Sequence, residues 1–133
     1  MKRLIFSLVF LALAFPAHAE DITATVIAVR DGDTISVRLD GECLPKIFRI
    51  HGVRFYGCDT PEKGDKRPEI AALAREAKAF TEARLKPGQK VLLRDVRRDK
   101  YGGRLVADVD GLCGELIDAG LARPYTGKGK KPW

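Results

Sequence analysis

No stretch of the 133-residue sequence is apolar for long enough to span a bilayer. The longest such run, residues 4–15, is about 12 residues, against the roughly 20 that a spanning helix needs. Its flanks give it another meaning. Lys2 and Arg3 precede it and Ala17-His18-Ala19 follows it, the layout of an export signal cleaved before Glu20. The 114 residues that remain, 20–133, suit one domain and leave no room for two. Removing Lys2 and Arg3 takes the formal charge from +6 to +4, too mild an excess to select a partner by itself. Cysteine is scarce, with only Cys43, Cys58 and Cys113. Their spacing excludes paired zinc ligands. An odd count in an oxidising compartment allows at most one internal bridge and leaves one thiol over. A bridge between Cys43 and Cys58 and a cysteine that is simply a small buried apolar residue are both open. Of two histidines, His18 leaves with the signal and His51 falls in a segment that reads as loop or surface. There is no internal repeat and no linker.

What is present is a β-rich pattern broken by two helical ones. Residues 22–29 (ITATVIAV) and 34–39 (TISVRL) are rich in β-branched residues, with Ile35, Val37 and Leu39 on one face. Asp31-Gly32 between them predicts a hairpin turn. A third β-like run covers residues 46–57, and Gly52 is expected to bend or bulge it. The period then changes. Ile70, Leu73, Ala77 and Phe80 recur at helical spacing, Pro68 suits a first turn, and Pro87-Gly88 stops the chain after Leu85. Residues 90–96 and 104–109 predict two more strands, and Leu112, Leu116, Ile117 and Leu121 a second helix ending near Gly120. The basic tail RPYTGKGKKPW is expected to be extended or frayed, with Lys128, Lys130 and Lys131 a weak attraction for phosphate. The fold class is therefore mainly β with helices (α+β). Five antiparallel strands, with a helix between the third and fourth and a C-terminal helix, give the element order of an OB-fold barrel.

The acids Asp31, Asp33, Asp59 and Glu62 fall at the ends of predicted strands. Carboxylates converging in a small barrel repel unless a cation lies between them, and calcium suits oxygen ligands. Near a phosphate such an ion acts as a Lewis acid, and a further carboxylate can activate water. The loop is no EF-hand, although Asp31, Asp33 and Glu42 match its first, third and twelfth positions. Ile35 and Ser36 occupy the fifth and sixth, where a ligand and a glycine belong. Phosphodiester hydrolysis also needs positive charge on the phosphoryl oxygens, which a guanidinium supplies through paired hydrogen bonds. Arg54 and Arg104 are the candidates; taken alone, "DGDT" is only a turn and each arginine only a surface residue.

Four segments together resemble a known family. VRDGDT (29–34), VRFYGCDTPE (53–62), DKYGGRLVA (99–107) and AGLARPY (119–125) are similar, in order, to the signature segments of the thermonucleases, the staphylococcal nuclease family. The resemblance covers nearly all of residues 20–133. It implies an OB-fold nuclease that uses calcium to hydrolyse DNA and RNA and leaves 3′-phosphate ends. Position by position, it makes Asp33, Asp59 and the carbonyl of Thr60 the metal ligands and Glu62 the general base. Arg54 and Arg104 become the phosphate arginines, and Lys100, Tyr101 and Tyr125 contact bound nucleotide.

The pattern departs from the best-known members in three places. Gly103 stands where their arginine follows Tyr-Gly directly, so Arg104 comes one residue late, and on a strand one residue changes the face. A longer segment, residues 42–53, introduces Arg49 as a rival to Arg54, but Arg49 lies ten residues before Asp59 and spacing favours Arg54. The chain runs only eight residues past Tyr125, so their long C-terminal helix has no counterpart in it. The expectation is an exported, secreted or periplasmic calcium nuclease, a monomer with DNA and RNA as substrates and no stable membrane association after signal cleavage. The alternative is a catalytically silent OB-fold module that binds nucleic acid or protein.

Overall fold

The computed structural model describes residues 20–41, 45–129 and 131–133. The signal-like segment 1–19, residues 42–44 (Cys43 among them) and Lys130 lie outside them. Seven strands and two helices follow in the order β1 (Glu20–Asp31), β2 (Thr34–Leu39), β3 (Ile50–Phe55), β4 (Gly57–Asp59), α1 (Pro68–Arg84), β5 (Lys90–Arg98), β6 (Arg104–Val109), α2 (Leu112–Asp118) and β7 (Arg123–Tyr125), with a 3-10 turn at Lys46–Phe48. Five of the strands close a barrel in the order β1-β2-β3-β6-β5, with β5 returning to β1. With α1 between its third and fourth strands, this is the expected OB-fold. Alternation fills the barrel: Ile35 and Val37 of β2, Val53 and Phe55 of β3, and Ala107 and Val109 of β6 are buried in one core. No helix among the described residues is long and apolar enough to cross a membrane.

Several local expectations are corrected. The strands are not all antiparallel, because β3 and β6 run parallel, and β4 and β7 form a separate antiparallel pair outside the barrel. The β1–β2 turn is Gly32-Asp33, one residue later than Asp31-Gly32, since Asp31 pairs with Thr34. Gly52 does not bulge β3, which pairs with β2 without a shift; the irregularities fall in β1 instead. The second helix is shorter, stopping at Asp118 with Gly120 at φ +72°. The bridge joins Cys58 to Cys113, not Cys43 to Cys58. It ties β4 to the first turn of α2, beside Asp59.

The most buried face of α1 is made of small residues, Ala74, Ala77 and Thr81, with Leu73 and Phe80 packed at its margins. Small side chains let the helix lie directly on the β1–β2 turn. Thr81 donates a buried hydrogen bond to the Gly32 carbonyl (2.6 Å). A Cβ on Gly32 would sit 2.7 Å from the Ala77 Cβ and 2.8 Å from the Thr60 Cγ2. The helix, the turn and the segment after β4 thus meet around one glycine.

Candidate active site and nucleic-acid cleft

Asp33 enters the site from the β1–β2 turn and Asp59 from the end of β4, both buried. Asp33 Oδ2 accepts the backbone N–H of Thr60 (2.9 Å), and its Oδ1 accepts the Thr34 hydroxyl (2.9 Å). The Asp33 carbonyl also accepts the Phe55 N–H (2.8 Å), fixing the turn against β3. Arg54, on β3 opposite Thr34, reaches both acids: it donates to Asp59 and lies 3.4 Å from Asp33 Oδ2. Burial works against the Arg54 charge, but Asp33 and Asp59, with Asp99 further off, outweigh it and hold the pKa above its ordinary value.

The charges in this core do not balance: two buried carboxylates face one guanidinium. Among the described residues no three histidine, cysteine, aspartate or glutamate side chains form a ready-made cage for a metal. The donors are instead two carboxylates on the wall of a hollow of about 290 Å³, which Thr60 and Glu62 also line. Oxygen donors with one negative charge in excess fit a hard divalent cation that keeps part of its water. Glu62 is exposed and pairs with Lys131 (2.7 Å). That bond, together with the charges of Asp59 and Glu62, holds the Lys131 pKa above its ordinary value against burial and the Arg54 charge.

The parallel pairing places the late arginine. Gly52 pairs with Arg104 and Arg54 with Val106. Residues two apart share a face, so Arg104 lies on the same outward face as Arg54 while Val53, Phe55 and Ala107 point into the barrel. Gly52 carries no side chain to fill the space beside Arg104. The turn before it holds Gly102 at φ +73° and Gly103 at φ +77°, a left-handed path that glycine adopts without strain. Arg104 donates to Asp99. Burial raises the Asp99 pKa, but hydrogen bonds from Arg104 and the Tyr101 N–H more than offset this, and the net shift is downward.

A larger hollow of about 540 Å³ opens on the other side of the arginines, walled by Tyr56, the β5–β6 hairpin and residues 125–129. Lys100, Tyr101 and Tyr125 all line it. Tyr101 is exposed, Lys100 donates to the Gly127 carbonyl (2.5 Å), and Arg97 stacks over the Tyr56 ring, 4.3 Å from its centroid.

The tail begins extended, as one of the two expectations had it. β7 pairs with β4, setting Arg123 opposite Asp59 and Tyr125 opposite Gly57. Arg123 stacks over Trp133 at 3.9 Å and bonds the Pro132 carbonyl, and the Trp133 indole N–H donates to the Asp59 carbonyl (2.8 Å). Sequence reasoning missed Asp99, Thr81, Trp133 and the contact of Lys131 with Glu62. The one available signal was a lone tryptophan closing a polar, basic segment.

A family model described as staphylococcal nuclease homologue matches residues 52–132. The thermonuclease of Staphylococcus hyicus is 35% identical over 91 residues, which cover 67% of this chain and 49% of that protein. The chain thus spans about half the length of that relative.

Proposed function

The chain belongs to the staphylococcal nuclease homologue family, and from that premise we propose that it is an exported, calcium-dependent nuclease that hydrolyses DNA and RNA with little sugar or sequence specificity. The observation that carries this reading is the placement of Arg54 and Arg104 on one face, between the acid hollow and the larger cleft. A phosphodiester whose nucleoside lies in the large cleft presents its phosphate to both guanidiniums and to the acids beyond. Export is supported by the bridge between Cys58 and Cys113, which belongs to an oxidising compartment, and by the signal-like residues 1–19. We take the protein to act as a monomer, free of the membrane once the signal is removed.

In this reading Asp33 and Asp59, through their carboxylates, and Thr60, through its carbonyl, hold calcium. When bound, the ion supplies Lewis-acid polarisation of the phosphate and orients it. Glu62 takes a proton from the attacking water, whose oxygen bonds to phosphorus. The bond from phosphorus to the 5′ oxygen breaks, that oxygen takes a proton from solvent while Glu62 returns its own to solvent, and the phosphate stays on the 3′ side. Arg54 and Arg104 neutralise the charge that builds on the phosphoryl oxygens. Lys100 and Tyr101 contact a neighbouring phosphate, and Tyr125 packs on the base.

The silent binding module is the rival, and it needs an arginine out of reach or an absent base. Glu62→Gln separates the two. A nuclease loses cleavage by about 100-fold or more while retaining single-stranded DNA binding. Cleavage by Glu62→Gln at the parent rate would refute the assignment of the base.

A further inference from the structure

The acid hollow and the large cleft have three lining residues in common, Arg54, Arg104 and Lys131, and all three are cations. Two of them are the phosphate arginines of the reading above. We propose that Lys131 is a third phosphate-binding residue of the same site, carried into it by the folded-back tail; the inference rests on that reading of the cleft.

The three cations are not held equally. Arg54 is half-buried between the buried Asp33 and Asp59, and Arg104 is bonded to the half-buried Asp99. Among the described residues Lys131 forms its ion pair with Glu62, and the two side chains are 50% and 71% exposed. An ion pair this open to water contributes little, so an arriving phosphate displaces it easily. Glu62 in the free protein thus holds the place of the phosphate. When the substrate takes Lys131, the Glu62 carboxylate is released toward water.

Described residues on both sides of Lys131 are anchored. On one side Lys100 bonds the Gly127 carbonyl, and on the other the Trp133 indole bonds Asp59 and stacks on Arg123. The ammonium is therefore presented by backbone pinned to the metal-side strand itself.

The test reads phosphate contact directly. A single-stranded thymidine octamer is titrated, in calcium and at several salt concentrations, into Glu62→Gln and into the same protein with Lys131→Gln added. Losing one phosphate contact weakens binding and flattens the slope of log affinity against log salt by about 0.7. Lys131→Arg in the same background keeps the slope. An unchanged slope in Lys131→Gln overturns the inference. On an otherwise unaltered chain, Lys131→Ala is expected to lower kcat/KM about 10- to 100-fold, the worth of one charged hydrogen bond. A rise would overturn it by making the tail a plug. The salt slope is read whether or not the protein cleaves, so failure of the nuclease reading and failure of this inference give different results.

Discussion

Replacing Gly32 with alanine probes the contact on which the whole acid site is built. The new Cβ would lie 2.7 Å from the Ala77 Cβ, 2.8 Å from the Thr60 Cγ2 and 3.1 Å from the Ala77 carbonyl carbon. Alanine has no rotamer into which to retreat, so either α1 lifts or the Gly32-Asp33 turn moves. Overpacking of this kind costs about 1–3 kcal/mol. Weakening the buried Thr81 bond to the Gly32 carbonyl adds about 1 kcal/mol. Against this, alanine stiffens the unfolded chain and returns about 0.4–1 kcal/mol. The clash wins, and the net loss is about 1–3 kcal/mol. With a urea dependence of about 1–3 kcal/mol per molar for a small domain, the unfolding midpoint falls by roughly 1 M. The displaced atoms flank Asp33 and Thr60, so calcium affinity measured by calorimetry falls as well. Adding Ala77→Gly removes the closest of these contacts, leaves the one with the Thr60 Cγ2 in place and costs about 1 kcal/mol of helix propensity. It should therefore restore neither stability nor calcium binding in full. Gly32→Ala with the parent midpoint and the parent calcium affinity would refute the close packing of α1 on the turn.

Three further outcomes follow from the same geometry. The Cys58–Cys113 bridge closes a sequence separation of 55 residues, so the double alanine variant should lose about 4 kcal/mol in urea unfolding by the chain-entropy account; an unchanged midpoint would contradict the pairing. Asp99→Asn should be less stable than the parent at neutral pH. Because the Asp99 pKa is lowered in the folded state, its contribution is complete above the unfolded value of about 3.9 and is lost as pH falls through the folded value. The gap between the two proteins should thus close below about pH 4, and a gap constant from pH 7 to pH 2 would count against the Arg104 contact. Arg54→Ala leaves Asp33 and Asp59 buried with no cation between them, at a cost of about 3–5 kcal/mol. Calcium should then raise the Tm of the variant more than that of the parent, and equal rises would argue against a shared site.

The barrel was legible because its strands alternate and its long helix is punctuated by Pro68 and by Pro87-Gly88. The acids and Arg54 were legible because they stand in two short recognisable segments, residues 29–34 and 53–62. Arg104 was harder. Its face depends on pairing with Gly52, a parallel contact that strand periodicity cannot reveal. The tail was least legible of all. Lys131 and Trp133 meet Glu62 and Asp59 across separations of 69 and 74 residues, and neither contact leaves a periodic or local trace. The same holds for Cys58 and Cys113, whose partnership depends on where α2 docks. The small residues of α1 read as ordinary helix formers, yet they let the helix touch Gly32.

Calcium-dependent hydrolysis of phosphodiesters in this cleft can be read in a single assay. The most direct test incubates the purified protein with single-stranded DNA and with RNA at mildly alkaline pH and follows release of acid-soluble nucleotides, first in calcium and then with a calcium chelator. Both substrates should be cleaved, and cleavage should stop on chelation. A folded protein that binds calcium yet releases nothing would contradict the nuclease reading.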